Sequence, residues 1–394
     1  MISWKLNNQV YRPIGLDIGH NSIKMLQLAV SDSALRVVAA QKIIIEPEIC
    51  GDPKKCRTFI VSSIRKIMQS GLFRGSDCFS AIPNDKIGIT NLRIAQTEAE
   101  NVNEVLKKEA AARFNLNPDL DSINYIEAGS VRQGDEIKNE YILFTAESGT
   151  IRDHIELLED AKLRPVGIDP VACALFRSCR RFSRRQQDQE QTEIFVDVGG
   201  QFTTVVFGRG QDISFVKNIA IGTEQFNREI ALRLGISAAE AEVLRNRIIK
   251  RRQAASSEDS DEKMDTYSVP DDADSSTELA VADSVGVVCE KLAEEILLCF
   301  RYYTITFRGK RSPRAMFSGG GSYEPTLLNI MKSHLSVEID VAHPLNGMDM
   351  ADADFGNDRR GPSSEWAVAA GLALKGCVQN KNKKLKLAAS EKSG

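Results

Sequence analysis

One short pattern occurs twice in this chain, 180 residues apart. An apolar, β-branched run ends in Asp17-Ile18-Gly19 near the N-terminus, and a second such run ends in Asp197-Val198-Gly199. Each is followed by a turn and by another β-branched run, as expected for two strands joined by a tight turn. An internal repeat decides the architecture before any local detail does. The sequence therefore predicts two related α/β units within one chain of 394 residues.

The repeated turns have the chemistry of a phosphate site. Glycine lets the backbone approach a phosphate closely, and successive N–H groups of a turn form an anion-binding nest. Asp17 and Asp197 would repel a phosphate directly, so we expect both to act through a hydrated Mg²⁺. A single Asp-x-Gly is a common turn, but two that face each other would hold a polyphosphate from both sides. The remaining candidate residues of the two turns are Gly19, His20, Asn21, Ser22, Lys24, Gly199, Gly200, Gln201 and Thr203.

A third glycine-rich turn, Gly319-Gly320-Gly321, lies between an apolar strand and a predicted helix. Glycines allow a nucleoside to approach the backbone, and a helix N-terminus offers free N–H groups. A plain strand-to-helix turn is the alternative, although such a turn does not require three consecutive glycines. We therefore expect this segment to contribute to a nucleotide site.

Residues 84–164 form a predicted insertion with the order βαββα, enough for a small two-layer module. The acidic stretch 254–280 and the Lys-rich C-terminal tail contain few apolar residues, so we expect both to be disordered. The predicted division is a first-lobe core (10–83, 165–190 and 364–376), an inserted subdomain (84–164), a second-lobe core (191–234 and 310–345), a second-lobe subdomain (235–309) and a flexible tail (377–394).

Composition and charge exclude several protein classes. The net charge is −3, and the chain outside the acidic stretch and the basic tail is neutral, which argues against a nucleic-acid-binding protein. No apolar run approaches the length of a membrane span, and the N-terminus lacks the apolar region of a secretory signal. The eight cysteines include no C-x-x-C pair. We therefore expect reduced thiols rather than disulfides or a zinc site.

The three turns together resemble the phosphate-1, phosphate-2 and adenosine motifs of the actin, Hsp70 and sugar-kinase superfamily. This resemblance implies an α/β fold of two duplicated RNase H-like lobes that close over Mg-ATP, with the βαββα subdomain inserted in the first. The stretch 168–175 resembles the first connecting motif of the superfamily, which places an acidic or amide side chain near the attacking water. The resemblance thus makes Asp169 the catalytic candidate. A helix cap is the alternative, because Asp favours the position before a helix.

Within the superfamily, the chain is most similar to the type IV pilus assembly proteins of the PilM family, which are relatives of the cell-division protein FtsA. The similarity extends from about residue 13 to residue 375. It rests on the Gly-Leu-Asp-Ile-Gly sequence at 15–19, on Ile23 and Lys24, on the inserted module and on the apolar segment 367–375.

Segment 235–245 also resembles the PilM family, in which an acid and a base on this helix hold the adenosine. Glu242 and Arg245 take these positions, and their spacing of three puts them on one helical face. A solvent-exposed ion pair is the alternative. The chain departs from the family in the length of its acidic stretch, in having Arg245 where a lysine is usual, and in its polar segment 352–362.

The resemblance implies an actin-like ATP-binding scaffold of a type IV pilus or related secretion machine, with ATP and Mg²⁺ as cofactors and slow ATP hydrolysis at most. It implies a cytoplasmic location at the inner face of the inner membrane, where the protein docks the cytoplasmic N-terminus of a PilN-like membrane protein. The same resemblance implies a docking groove between the first lobe and the inserted module, and it leaves self-association open. Three alternatives are a filament-forming protein like FtsA or MreB, a sugar kinase, and the cytoplasmic region of the secretion protein GspL. The last continues into a membrane span that is not found in this sequence.

Overall fold

The computed structural model describes residues 10–31, 34–95, 101–133, 136–182, 191–257, 275–307, 312–351, 353, 355 and 364–377. Its strands are β1 (Val10–Tyr11), β2 (Ile14–Ile18), β3 (Ser22–Ser31), β4 (Ala34–Ile44), β5 (Asp77–Ile82), β6 (Gly88–Ala95), β7 (Ser122–Gln133), β8 (Glu136–Ala146), β9 (Arg164–Pro170), β10 (Thr192–Val198), β11 (Thr203–Arg209), β12 (Asp212–Ile219), β13 (Arg314–Ser318) and β14 (Glu338–Val341). Its helices are α1 (Pro47–Cys50), α2 (Pro53–Gln69), α3 (Val102–Phe114), α4 (Ser148–Asp160), α5 (Val171–Cys179), α6 (Thr223–Leu234), α7 (Ala238–Ser257), α8 (Ser275–Phe307), α9 (Pro325–His334) and α10 (367–377).

The two main sheets share one strand order. In the first sheet, β2 and β3 form an antiparallel hairpin, β4 pairs with β3, and β5 and β9 continue in parallel from β2. In the second, β10 and β11 form the hairpin, β12 pairs with β11, and β13 and β14 continue in parallel from β10. The short β1 adds to β3. The repeat in the sequence is therefore a repeat of topology, with one sheet in each lobe.

Helices bury an apolar face of each sheet. The carboxylate of Asp52 accepts hydrogen bonds from two backbone N–H groups in the first turn of α2, which satisfies donors that have no partner within the helix. Ile60, Ile64 and Ile67 then lie on one side of α2 and pack in the core of the first lobe. In the second lobe, α6, α7, α8 and α9 share one apolar cluster with the sheet. The described helices of 235–309 therefore pack in the core of the second lobe.

The inserted module is a three-stranded antiparallel sheet, β6-β8-β7, with α3 on one face. Along β8, Tyr141 and Leu143 pack with α3, while Ile142 and Phe144 pack towards the lobes, as the alternation of a strand requires. The predicted order βαββα is found along the chain. Its last helix, α4, packs elsewhere, because Leu158 lies in the apolar core of the first lobe.

Two helices, α5 and α10, lie between the two sheets and cross each other. A Cβ on Gly371 would lie 1.9 Å from the C=O oxygen of Ala174, so the crossing requires a glycine there. Arg177 Nη1 donates to the C=O of Gly371 at 2.9 Å. The two lobes are therefore connected through a close helix contact with its own hydrogen bond.

The predicted disorder of the acidic stretch is wrong at both ends. Residues 254–257 continue α7 and residues 275–280 begin α8, while residues 258–274 lie outside the described part of the chain. Residue 377 ends α10, and the rest of the predicted tail is likewise outside it. The structure shows free thiols at Cys56, Cys78, Cys173, Cys179, Cys289, Cys299 and Cys377. No helix in the described ranges combines the length and apolar character of a membrane span.

Candidate functional site

The two repeated turns have the same backbone geometry. After β2, the N–H of Gly19 donates to the C=O of Ser22 at 3.0 Å, and after β10 the N–H of Gly199 donates to the C=O of Phe202 at 2.9 Å. A Cβ on Gly19 would lie 3.2 Å from the Ser22 oxygen, and one on Gly199 would lie 3.0 Å from the Phe202 oxygen. Both turns are thus closed at the glycine that the repeat predicts.

The turns face each other across a cleft of about 1140 Å³. A Cβ on Gly200 would lie 2.7 Å from Oδ1 of Asn21, so the second turn touches the first. His20 Nε2 lies 3.5 Å from Oε2 of Glu224, at the start of α6. The N–H of Glu224 in turn donates to the C=O of Gly200 at 2.8 Å. The start of α6 therefore supports the second turn and bridges to the first.

Charged side chains form a ladder across the first sheet at the cleft. The strand register puts Asp17 opposite Lys24, and Lys24 opposite Lys42, so the three project from one face of the sheet. Lys24 Nζ lies 3.4 Å from Asp17 Oδ2, and Lys42 Nζ donates to Oε2 of Glu365 at 2.6 Å. Burial lowers the pKa of Lys24, but the charges of Asp17, Glu365 and Asp197 outweigh burial and hold that pKa above its ordinary value. Lys24 is therefore a fixed positive charge in the cleft.

Asp197 occupies the equivalent position in the second turn, where the residue opposite it is Thr204 rather than a lysine. The hydroxyl of Ser318 donates to Asp197 Oδ1 at 2.8 Å. Burial raises the pKa of Asp197 to about 6, and the charge of Asp17 acts in the same direction, while the Ser318 hydrogen bond and Lys24 oppose the rise. The charge of Asp197 is thus incompletely compensated, which favours a bound cation.

Glu242 and Arg245 line another part of the cleft. The alternative, an exposed ion pair, is wrong because Arg245 is buried and is bound by other residues. Its Nε donates to Asn227 Oδ1 at 2.9 Å, and its Nη1 lies 3.6 Å from Oε2 of Glu324. Asn227 Nδ2 donates to Glu242 Oε2 at 3.3 Å. This network holds the acid and the base at the cleft without pairing them directly.

The three consecutive glycines have different surroundings. Gly319 has a φ of 83°, and a Cβ there would lie 2.5 Å from the C=O oxygen of Val198. A Cβ on Gly321 would lie 2.4 Å from Cγ1 of Val198. A Cβ on Gly320 would meet nothing within 4 Å, and Gly319 and Gly320 line the cleft. Gly319 and Gly321 are therefore required for packing against Val198 of β10, while the backbone at Gly320 is open to the cleft.

Asp169 does not line the cleft. It lies in β9 rather than in a turn, and its Oδ2 accepts from Arg177 Nη2 at 2.8 Å while its Oδ1 accepts from Lys375 Nζ at 2.6 Å. Two cations thus hold this buried carboxylate between α5 and α10. The cap alternative is wrong, since Pro170 is the residue before α5 and provides no side-chain cap. The structure makes Asp169 an anchor of the helices that join the lobes.

Most of the predicted site residues line the one cleft. They are Asp17, Gly19, His20, Asn21, Ser22, Lys24, Asp197, Gly199, Gly200, Gln201, Glu242, Arg245, Gly319 and Gly320. Besides Asp169, Gly321 and Thr203 do not, and the buried hydroxyl of Thr203 donates to the C=O of Ile221 at 2.7 Å.

Sequence reasoning missed other residues of the cleft wall, among them Lys42, Asn84 and Glu365. The position of Lys42 could have been predicted from the sequence, because pairing β3 with β4 in register puts Lys42 opposite Lys24. No local pattern predicts that Glu365 reaches the cleft, since it lies 323 residues away from Lys42 along the chain.

The residues of the cleft suit a magnesium–nucleotide. Within the described ranges, no group of three His, Cys, Asp or Glu side chains could hold a metal ion alone. Mg²⁺ usually takes one or two carboxylates together with water and phosphate oxygens, and Asp17 and Asp197 match that requirement. Oδ1 of Asn21 is buried without a hydrogen-bond partner at the contact between the turns. A metal-bound water would satisfy this oxygen.

Comparison with known proteins gives a consistent result. The sequence profile of a family described as "Type IV pilus assembly protein PilM" matches residues 15–257, well over half of the chain. A solved PilM-PilN type IV pilus biogenesis complex is similar with a TM-score of 0.70 and 18% identity, covering 93% of this chain and 98% of that chain. The ethanolamine utilization protein EutJ from Carboxydothermus hydrogenoformans has a TM-score of 0.50 and 14% identity, covering 93% and 89%. No curated protein matches by sequence. The predicted two-lobed, actin-like α/β fold is confirmed.

Proposed function

The chain belongs to the family of the type IV pilus assembly protein PilM, and from this premise we propose that it binds Mg-ATP between its lobes and couples that binding to the docking of a membrane partner. The machine it serves is a type IV pilus or a related secretion system. The proposed location is the cytoplasmic face of the inner membrane, where the partner holds it.

One observation carries the nucleotide part of this proposal. Two turns of equal geometry, each with an aspartate at the end of its strand, meet at a single cleft that also holds the fixed charge of Lys24. The turn N–H groups and Lys24 would bind phosphate oxygens. Asp17 and Asp197 would hold a hydrated Mg²⁺, which when bound offsets the phosphate charge. Glu242 and Arg245 line the same cleft, and in this proposal they face the nucleoside.

The same cleft gives little support for fast hydrolysis. Phosphoryl transfer to water needs a side chain that orients the water in line with the γ-phosphate. Asp169 is bound by Arg177 and Lys375 and does not line the cleft. We therefore propose a slow ATPase at most, in which the nucleotide acts by changing the angle between the lobes.

The partner part of the proposal rests on the solved PilM-PilN complex, whose fold this chain shares. A PilN-like inner-membrane protein is the proposed partner, with its cytoplasmic N-terminal segment in a groove between the first lobe and the inserted module. A ligand that binds best at one lobe angle strengthens the binding of any partner that favours the same angle. Such coupling typically amounts to about 1–3 kcal/mol.

Calorimetric titration of the full chain tests the nucleotide site. We expect wild-type protein to bind Mg-ATP, and the double variant Asp17→Asn/Asp197→Asn to lose that binding while keeping its folded circular dichroism spectrum. Asp212→Asn is a matched control, because it removes an exposed carboxylate at the start of β12. Equal affinities of the double variant and the control would overturn the assignment of the cleft.

A second titration tests the partner. A synthetic peptide with the cytoplasmic N-terminal sequence of the PilN-like protein from the same organism is added with and without Mg-ATP. We expect the nucleotide to strengthen peptide binding by about 5–150-fold, the usual range of such coupling. Binding that is equal in the two conditions contradicts the coupling, and no peptide binding at all contradicts the partner. Sedimentation of the same samples tests self-association.

A further inference from the structure

The inserted module belongs to the first lobe by chain order, yet it packs on the second. Its inner face, α5 and the second sheet form one apolar cluster. The module contributes Ala128, Ile142 and Phe144 to this cluster, and the second sheet contributes Phe195, Val206, Ile213, Val216 and Met316. Strand β12 is the edge of the second sheet, and the module lies against it. The module therefore covers an edge strand and part of an apolar face of the other lobe.

A buried carboxylate joins the module to α8 of the second lobe. Glu140 of β8 is fully buried, and its Oε2 accepts from Arg93 Nε of β6 at 2.6 Å. The hydroxyl of Tyr302 on α8 donates to Glu140 Oε1 at 2.7 Å. Arg93 Nη2 also donates to the hydroxyl of Thr306 at 3.0 Å. A buried charge held this way is costly to expose, so separating the module from α8 is unfavourable.

The burial of Tyr302 and its hydrogen bond to Glu140 raise the pKa of the phenol. Tyr302 therefore stays protonated at neutral pH and remains a hydrogen-bond donor to the carboxylate. The ring of Tyr302 packs beside Phe215 of β12, with centroids 5.2 Å apart. Side-chain packing and hydrogen bonding thus act at the same junction.

The turn that leads into the module makes a second link to the second lobe. Asn84 follows β5 and lines the cleft. Its Nδ2 donates to the hydroxyl of Thr204 on β11 at 2.9 Å, and that hydroxyl donates to Oδ1 of Asn218 on β12 at 3.1 Å. The entry of the module is therefore attached to the second lobe beside the nucleotide cleft.

The link to the first lobe follows the chain itself. Asp121, which precedes β7, accepts at Oδ1 from the N–H of Ser148, the first residue of α4. Its Oδ2 accepts from the N–H of Asn117. These bonds join the loop between α3 and β7 to the start of α4, where the chain leaves the three-stranded sheet of the module for the core of the first lobe.

From this arrangement we infer that the module and the second lobe move as one body, so that a change of lobe angle opens or closes the groove between the module and the first lobe. Arg93, Glu140 and Tyr302 are the positioning residues of this body. The inference rests on the proposed function in one respect, because Mg-ATP is taken as the ligand that changes the angle. A segment docked in that groove would then respond to nucleotide without touching the cleft.

A near-isosteric double variant, Tyr302→Phe/Thr306→Val, tests the inference. It removes the two hydroxyls that bond across the junction and keeps the ring beside Phe215 and the Arg93–Glu140 pair within the module. Tyr303→Phe is the matched control on the same helix. It removes a buried hydroxyl that bonds to Thr192 Oγ1 at 3.1 Å, entirely within the second lobe.

Distances between spin labels on the full chain provide the measurement. The labels are introduced through a non-natural amino acid at three exposed positions, Lys107 on the module, Leu232 on the second lobe and Lys66 on the first lobe. On adding Mg-ATP, we expect the Lys107–Leu232 distance to stay constant while Lys107–Lys66 and Leu232–Lys66 shift together. In the double variant, the Lys107–Leu232 distance distribution should broaden, and the nucleotide enhancement of peptide binding, about 5–150-fold in the wild type, should fall towards unity. Tyr303→Phe should change neither quantity.

The outcomes separate the inference from the proposed function. If Mg-ATP shifts Lys107–Leu232 and leaves Lys107–Lys66 constant, the module moves with the first lobe and the inference is wrong. If Mg-ATP shifts none of the distances, nucleotide-driven closure is wrong, and the nucleotide-free comparison decides the inference. There, a narrow Lys107–Leu232 distribution that broadens only in the double variant supports a single body. A broad Lys107–Leu232 distribution in the wild type overturns the single body, and a narrow one that the double variant leaves unchanged overturns the positioning role of Tyr302.

Discussion

The two phosphate turns have one backbone and two electrostatic environments. Gly19 and Gly199 close their turns by the same hydrogen bond, to Ser22 and Phe202 respectively. The aspartate of the first turn has a lysine beside it, with Lys24 Nζ 3.4 Å from Asp17. The second has no such lysine, and burial raises the pKa of Asp197 to about 6. Duplication thus preserved the chain path, while the residue opposite each aspartate decides how its charge is balanced.

This difference assigns separate roles to the two halves of the cleft. In the first half, the charge of Asp17 is balanced by Lys24. A neighbouring lysine, Lys42, binds Glu365. The second half brings a carboxylate supported by a single hydroxyl, that of Ser318. A cation in the cleft would therefore relieve Asp197 more than it relieves Asp17. Variants that exchange or remove these partners test how far the asymmetry determines stability and binding.

The largest effect is expected for Lys24→Met. Removing this nearly buried lysine leaves Asp17, Asp197 and Glu365 near one another without their common cation. We expect the free energy of unfolding to fall by about 3 kcal/mol, as for a broken buried ion pair. Thr204→Val is the matched change in the second turn and removes only hydroxyl hydrogen bonds, at about 1 kcal/mol. Urea denaturation of both variants is the measurement, and equal losses would contradict a special role for Lys24.

The next effect concerns metal-dependent binding. Asp17→Asn and Asp197→Asn each keep the shape of the side chain and remove its charge. We expect each to weaken Mg-ATP binding by about 10–100-fold, the range for groups that act through metal-bound water. Calorimetry with Mg²⁺ and with a chelator separates the metal-dependent part from direct nucleotide contacts. Unchanged affinity in both variants would refute the assignment of these carboxylates to the metal.

The pH dependence of stability should report Asp197. Its folded pKa of about 6 lies above the ordinary value of 3.8, so the folded state binds the proton more tightly than the unfolded state does. Stability should therefore rise as pH falls from about 7 to 5, by about 1 kcal/mol from this group. Chemical denaturation of wild type and Asp197→Asn at both pH values isolates the contribution as their difference. A difference that does not change with pH would show that Asp197 titrates normally.

The smallest effect is expected at the contact between the turns. Gly200 is the counterpart of His20 in the repeat, and a Cβ on it would press on Oδ1 of Asn21 at 2.7 Å. Gly200→Ala should weaken Mg-ATP binding by no more than about 1 kcal/mol, because a side-chain amide can give way. Gly200→Ala in an Asn21→Ala background, compared with Asn21→Ala alone, is the control, because the added methyl group then has no amide oxygen to press on. If the single variant binds like wild type, the two turns have more room between them than this contact implies.

Local sequence signals account for much of this fold. The Asp-x-Gly turns, the alternation along β8 and the one-turn spacing of Ile60, Ile64 and Ile67 follow from the periods of strands and helices and from the small size of glycine. Both strand-turn-strand units and the βαββα order of residues 84–164 are found as predicted. The expectation of disorder in 254–280 failed at 254–257 and 275–280, because these residues extend helices that bury apolar side chains elsewhere along their length.

Most residues of the candidate cleft were predictable from the sequence, but the partners that hold their side chains were not. Asp169 has the motif of a catalytic residue, yet Lys375 lies 206 residues away and binds it. Arg245 and Glu242 were expected to be on one helical face, but their partners come from elsewhere, Asn227 from α6 and Glu324 from the residue before α9. Such partners depend on how separate elements pack, and no local period encodes them.

The sequence alone determined that two related strand-turn-strand units would bring glycines and aspartates to strand ends, because those features are local in the chain. The tertiary structure decided the surroundings of each aspartate. Asp17 lies beside Lys24, Asp197 accepts a hydrogen bond from Ser318, and Asp169 is held between α5 and α10. It also decided that a module inserted in the first lobe packs on the second, through Glu140 and Tyr302. Burial and charge balance are properties of the assembled surfaces, so they arise only when distant segments meet.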